Sequence, residues 1–244
     1  MKAIRIMTYR ICGCRGSDGQ VDPDRVAEVI AGARPDIVAL QDVDAAPPAD
    51  QLGYLSRRLG MRGFGHPRRG CNAFLSDYPL HGLREYDLGE GGCCVRADAE
   101  IQGRRLHLFN LCLSMPLRRR HRQVVKLLGE DLLGDDRLVC PVLLLGDFGD
   151  IVWTLTNLEL NMRLRQANRP LWAATYPARF PLVGRDRAYL QGKIRILDSQ
   201  VERSAVARRA SLHLPLILTA EIEDTVCYLR LKELKRAKME AAPG

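Results

Sequence analysis

The sequence predicts an α/β four-layer sandwich, with two mixed β-sheets packed face to face and helices on the outer faces. Two observations carry this. Strand-like apolar runs are joined sometimes by helical crossovers and sometimes by tight hairpins, a mixture foreign to an all-parallel sheet. The 244 residues are 46% hydrophobic and 27% charged, ample core material for one large domain. No repeat, low-complexity linker or long charge block divides them.

Residues 2–9 read as the first strand, followed by a Gly-rich turn at 13–19. A helix is predicted over 22–34: Asp22 suits the N-cap, Pro23 the first helical position, and Val26, Val29, Ile30 and Ala33 share one face. Arg34-Pro35 ends it, and 36–43 is the next strand. A short helix near 49–59 precedes strands near 72–76, 83–88, 93–101 and 105–113, the last two joined by a tight turn at 102–104. A helix over 117–133 is expected with Val124, Val125, Leu128 and Leu132 inward and its arginines outward. Strand 138–146, a helix over 154–166, and strands near 186–191, 194–203 and 216–222 complete a domain of residues 1–224. Residues 225–244 are expected to form a basic C-terminal helix or tail.

The net charge of +8 and pI of about 9.2 favour an anionic partner: nucleic acid, a phospholipid headgroup or a phosphorylated small molecule. Aromatic residues are only 6% and do not interleave with the arginine clusters, so a stacking platform for single strands is not indicated. The eight cysteines include no CxxC pair, which argues against a structural zinc site. Cys12-Gly-Cys14 and Cys93-Cys94 are spaced too tightly for ordinary disulfides within each pair. The N-terminus has arginine inside its only apolar stretch, and no apolar run approaches the length of a membrane span. A cytoplasmic protein with all thiols reduced is expected. Its oligomeric state is not legible.

Two apolar runs each end in a carboxylate: DIVALQDV at 36–43 delivers Asp42, and VLLLGDFG at 142–149 delivers Asp147. Buried strands with acids at their tips are a common way to build a metal or phosphate site. DRAYL (186–190) and ASLHLP (210–215) follow. In this order the segments resemble the endonuclease/exonuclease/phosphatase family, the DNase-I-like phosphoesterases. CNAFLSDYPL (71–80), GRRLHLFN (103–110) and TYPARFPL (175–182) are similar to its small bacterial branch.

The resemblance implies the sandwich fold and a Mg²⁺-assisted attack of water on a phosphate ester. It places the metal ligand at Asp42, the water-orienting aspartate at Asp147, and a histidine backed by aspartate at His213 and Asp186. Arg10, Asn72, Asn110 and Cys112 fall where phosphate or a partner would be bound. Five positions depart from the family pattern, four of them with a change of chemical group. Its first strand ends in asparagine, a neutral oxygen donor; here Arg10 is cationic with no acceptor. Its Asn-Thr-His-Leu reads Asn110-Leu111-Cys112-Leu113, so a histidine has become a thiol. Its Gly-Asp-Phe-Asn ends in Gly149. Its Ser-Asp-His reads Ser211-Leu212-His213. The metal-ligand slot itself carries Asp42 instead of the longer glutamate.

Two readings follow. In the first, the chain is an impaired or inactive relative that binds a phosphate ligand or protein partner, since losing one donor to a developing oxyanion costs about 10²–10³ in rate. In the second, it is an active Mg²⁺-dependent nuclease or phosphoesterase with an altered site, because one or two carboxylates suffice for magnesium. Mg²⁺ is the expected cofactor if the chain is active, and none if it is not. Thiol chemistry at Cys112 is a third reading with no assignable base. Arg10 is expected to sit between Asp42 and Asp147 in place of a metal, because two acids in a dry cleft repel unless a cation separates them.

Overall fold

The computed structural model describes residues 3–45, 49–66, 70–150, 155–168 and 173–223. Two six-stranded mixed sheets form its centre. The first contains β1 (Ile4–Arg10), β2 (Ile37–Val43), β3 (Arg62–Phe64), β4 (Cys71–Ser76), β11 (Ile194–Val201) and β12 (Leu216–Ile222), in the order β11-β12-β1-β2-β4-β3. The second contains β5 (Leu80–Gly89), β6 (Gly92–Ile101), β7 (Arg104–Cys112), β8 (Val142–Asp147), β9 (Arg165–Gln166) and β10 (Asp186–Gln191), in the order β5-β6-β7-β8-β10-β9. This is the predicted sandwich.

Strand alternation sorts the side chains into three apolar layers. Ile4, Ile6, Ile37, Ala39, Leu106, Leu108, Leu143 and Leu145 meet between the sheets. Met7, Tyr9, Val38 and Leu40 face outward from the first sheet, against Val26, Val29 and Ile30 of α1 (Pro23–Ala33), Leu52 and Leu55 of α2 (Gln51–Leu59), and α5 (Ala207–Ala210). Phe109, Leu111, Leu144 and Tyr189 face outward from the second, against Val124 and Leu127 of α3 (Leu117–Leu127) and Leu160 of α4 (Leu155–Arg163).

Local chemistry explains where the predicted elements hold and where they shift. Asp22 caps α1 by accepting from the amides of Asp24 and Arg25, with Pro23 at its start. Gln102 and Gly103 both have positive φ, 52° and 76°, the type I′ geometry that matches a hairpin's twist. Helix α3 stops at Leu127 rather than reaching 133. A turn at Gly129, whose carbonyl accepts from Leu132 and Gly134, takes over and still buries Leu132. Val125 points to solvent, not inward, and Arg120 is buried, not outward. Strand β8 starts at Val142 rather than 138 because Pro141 has no N–H to give the ladder; its carbonyl accepts from His107. The short strands β3 and β9 and the one-turn α5 lack enough residues to show a period in sequence. The helix expected near the C-terminus lies outside the described residues. No helix among the described residues is long and apolar enough to cross a membrane.

Candidate functional site

Topology brings the predicted residues to one end of the sandwich. The pairs β1/β2 and β7/β8 are parallel, so each pair finishes at a common edge. Arg10 closes β1, Asp42 nearly closes β2, Cys112 closes β7 and Asp147 closes β8. Strand β10 runs antiparallel to β8, which sets its first residue, Asp186, opposite Asp147. Strand β12 runs antiparallel to β1, so His213 in the loop before it reaches the same edge.

Arg10 lies between the two acids. Its Nη1 donates to Asp147 Oδ2 at 2.5 Å and its Nη2 to Asp42 Oδ2 at 3.2 Å. The Asp42 geometry depends on a bulge. The β2–β4 register shifts between Leu40 and Val43, and Asp42 has φ of 59°. Regular alternation would have sent it to the outer face, opposite to Gln41; the left-handed kink turns its carboxylate towards Arg10.

Asp147 is fully buried and takes four donors. Oδ1 accepts from the Gly149 amide at 2.8 Å and Arg185 Nε at 3.2 Å; Oδ2 accepts from Arg185 Nη2 at 2.8 Å and from Arg10. A carboxylate offers about four lone-pair directions, and all are taken. Burial pushes its pKa up, but His213, Arg185 and Arg10 outweigh burial and hold the carboxyl below its ordinary range.

His213 Nδ1 lies 2.8 Å from Asp186 Oδ2, and its Nε2 lies 3.9 Å from Asp147 Oδ2. Tyr176 packs on the imidazole with ring centroids 4.9 Å apart, and the Arg185 guanidinium covers the other part of Tyr176 at 4.8 Å. Asp186 and His213 are both buried.

The amides serve the scaffold. Asn110 Nδ2 donates to the carbonyls of Leu40 and Ala73 on the facing sheet, and its Oδ1 accepts from Gln41 Nε2. Asn72 Nδ2 donates to the Asn110 carbonyl. Cys112 is half-buried at the end of β7. Burial pushes its thiol well above the ordinary range, and the nearby Asp147 pushes it further. Beside Asp42 and Asn72 opens a cleft of about 450 Å³ lined by Asn72, Glu85, Tyr86 and Cys93. The seven described cysteines are free thiols; Cys227 lies outside the described residues.

The arginines flanking Asp186 escaped the sequence reading. Arg185 grips Asp147, and Arg187 Nη1 pairs with the buried Asp150 Oδ2 at 2.8 Å. Arg120 adds a third buried guanidinium, donating to the Met115 and Gly149 carbonyls. Arginine–aspartate–arginine opening an apolar strand was the available signal.

The family model for the Endonuclease/Exonuclease/phosphatase family matches residues 7–213. The chain belongs to this family. No curated protein matches it. Among solved structures, it resembles an endonuclease/exonuclease/phosphatase from Beutenbergia cavernae (TM-score 0.71, 19% identity, 91% of this chain and 72% of that one). It also resembles a humanized D. rerio TDP2 (0.73, 15%, 90% and 99%) and a mannosyl-6-phosphatase from Bacteroides thetaiotaomicron (0.68, 16%, 89% and 99%). At these identities the structural likeness shows the shared fold. A structure of D. rerio TDP2 with a similar fold is complexed with a single-strand DNA product.

Proposed function

We propose that this family member is a phosphate-binding module with its hydrolytic chemistry lost or strongly impaired. The observation that carries this reading is the arginine pair on Asp147. With Arg10 and Arg185 taking both carboxylate oxygens, no lone pair is left to orient an attacking water or to ligate a cation. The donor set does not fit Mg²⁺: Asp42 alone faces the mouth, and its nearest cation is Arg10. Among the described residues, no group of three or more His, Cys, Asp or Glu side chains is arranged around a metal position.

What remains accessible suits an anion. The Arg10 side chain is 24% exposed and Asp42 is 34% exposed, while the His213–Asp186 pair is closed off. A phosphate reaching the mouth meets a guanidinium fixed by two acids, a rigid donor for a tetrahedral oxyanion. The adjoining cleft has room for the rest of a small phosphorylated ligand. In this reading Arg10 contacts the ligand, Asp42 and Asp147 hold Arg10 in place, and Asn72 and Asn110 stiffen the floor. The protein acts in a reducing, cytoplasmic setting, in keeping with its free thiols.

Calorimetric titration with Mg²⁺, paired with a generic phosphodiesterase assay, tests this. The native protein should give no Mg²⁺ heat and no turnover, while inorganic phosphate binds and Arg10→Gln abolishes that binding. Arg10→Asn should recover weak metal affinity at Asp42 without turnover, because Arg185 still covers Asp147. Tight Mg²⁺ binding with turnover by the unmodified chain would establish the active-enzyme reading instead.

A further inference from the structure

Large apolar side chains stand exposed around the site. Phe180 is 69% exposed, Leu182 78%, Met115 49% and Leu212 40%. They form one neighbourhood. The Leu212 carbonyl accepts from the Ala178 amide at 2.8 Å, tying it to the loop that carries Phe180 and Leu182. Arg185 links that loop to Met115, lying 4.8 Å from the Tyr176 ring and 3.7 Å from the Met115 sulfur. Leu212 itself stands where the family pattern has an acid. Burial of apolar surface normally leaves such clusters only where something covers them.

Positive charge borders the cluster. Phe180, Leu182 and Arg208 flank a single shallow depression of about 300 Å³. The Arg208 guanidinium donates to the carbonyls of Arg179 and Arg203, and Arg179 lies 6.0 Å over the Phe180 ring. Among the described residues neither Arg179 nor Arg208 forms an ion pair with a carboxylate, so both charges are available to an anionic partner.

We infer that this rim docks the protein on an anionic phospholipid bilayer, with Phe180 and Leu182 entering the interface and Arg179 and Arg208 meeting the headgroups. A protruding Phe-Pro-Leu tip beside uncompensated arginines is complementary to such a surface. A nucleic-acid strand would use the Phe180 ring but gain little from Leu182, Leu212 and Met115, which have no aromatic face for base stacking. Docking would turn the mouth at Arg10 towards the headgroup layer. The ligand phosphate would then be a lipid headgroup's, a refinement that rests on the phosphate-binding reading of Arg10.

The full chain can be tested by co-sedimentation with phosphatidylcholine vesicles, with the same vesicles containing phosphatidylglycerol, and with a single-stranded oligonucleotide as competitor. Binding should require the anionic lipid and weaken with added salt. Phe180→Ser with Leu182→Ser should reduce it by at least about ten-fold, with an unchanged thermal midpoint because both side chains are exposed. Arg208→Gln should weaken it several-fold. Arg10→Gln should abolish binding of inorganic phosphate and weaken vesicle binding by the headgroup contact alone, whereas the Phe180/Leu182 double variant should keep phosphate binding and lose the vesicles, which separates failure of the phosphate site from failure of the docking surface. The inference is overturned if anionic vesicles bind no better than neutral ones, if the double variant partitions normally, or if the oligonucleotide binds at this rim in preference to the vesicles.

Discussion

Asp147 and Asp42 face the same guanidinium and differ in everything else. Asp147 is sealed beneath the surface with four donors, three of them from two arginines. Asp42 has Arg10 as its partner at 3.2 Å, a third of its side chain in solvent, and a bulge to re-aim it. The buried acid is part of the protein's internal charge pairing, and the exposed one holds Arg10 from the solvent side. Retention of both acids in sequence therefore does not imply that both keep a chemical role.

The sharpest way to break this comparison is to remove each acid in turn. Asp147→Ala leaves the buried Arg185 without its counter-charge and strips Arg10 of one of its two acids, and should destabilise by about 3–5 kcal/mol in urea melts. Asp42→Asn should change stability by less than about 1 kcal/mol. Equal losses would refute the asymmetry. Restoring the family's residue beside Asp147 should also be harmful. At Gly149 a Cβ would lie 2.6 Å from the Leu113 carbonyl oxygen. Asn tolerates the φ of 67°, so this collision decides, and Gly149→Asn should cost about 1–3 kcal/mol.

The pH dependence sharpens the comparison further. Asp147 has its folded pKa depressed, so its stabilisation is complete above the unfolded carboxyl value of ~4 and is lost as pH falls through the folded value. Arg10→Gln removes one of the cations responsible. The folded pKa should rise and acid unfolding, followed by circular dichroism, should begin at a higher pH. An acid limb unchanged by this substitution would mean that Arg185 and His213 alone set the charge state of Asp147.

The smallest effect expected is at the thiols beside Asp42. Burial, with Cys71 nearby, pushes the Cys93 thiol up to about 11. At pH 8 only about one molecule in a thousand should carry the thiolate. Alkylation of Cys93 in the native protein should be slow and should accelerate on unfolding. Rapid native labelling would show that the Asp42 side of the site is more open than its geometry indicates.

The fold was legible because its strands are apolar runs bounded by punctuation. Pro23, Pro35 and the Gln102-Gly103 turn each set a boundary through backbone geometry alone. The placement of Arg10 was legible too, since two strand-end acids require a cation between them. Arg185 and Arg120 were not. Their value depends on partners distant in sequence, Asp147 for one and the Gly149 carbonyl for the other, and periodicity assigns any arginine to solvent. The end of α3 was missed for a related reason: Leu132 is buried as predicted, but through a turn at Gly129 that gives the same apolar outcome as a continued helix.

The chain of amides from Gln41 through Asn110 to Asn72 has a consequence for how such a protein can change over time. Asn110 and Asn72 clasp backbone carbonyls of the opposite sheet, and Gln41 joins them by donating to the Asn110 side-chain oxygen, one layer below the charged groups. They hold the sheets in register whether the residues above them carry a metal, an arginine or a thiol. An ancestral catalyst built on such a clasp could exchange its surface chemistry position by position while every intermediate stayed folded. The clasp makes the architecture heritable apart from whatever chemistry the residues above it perform.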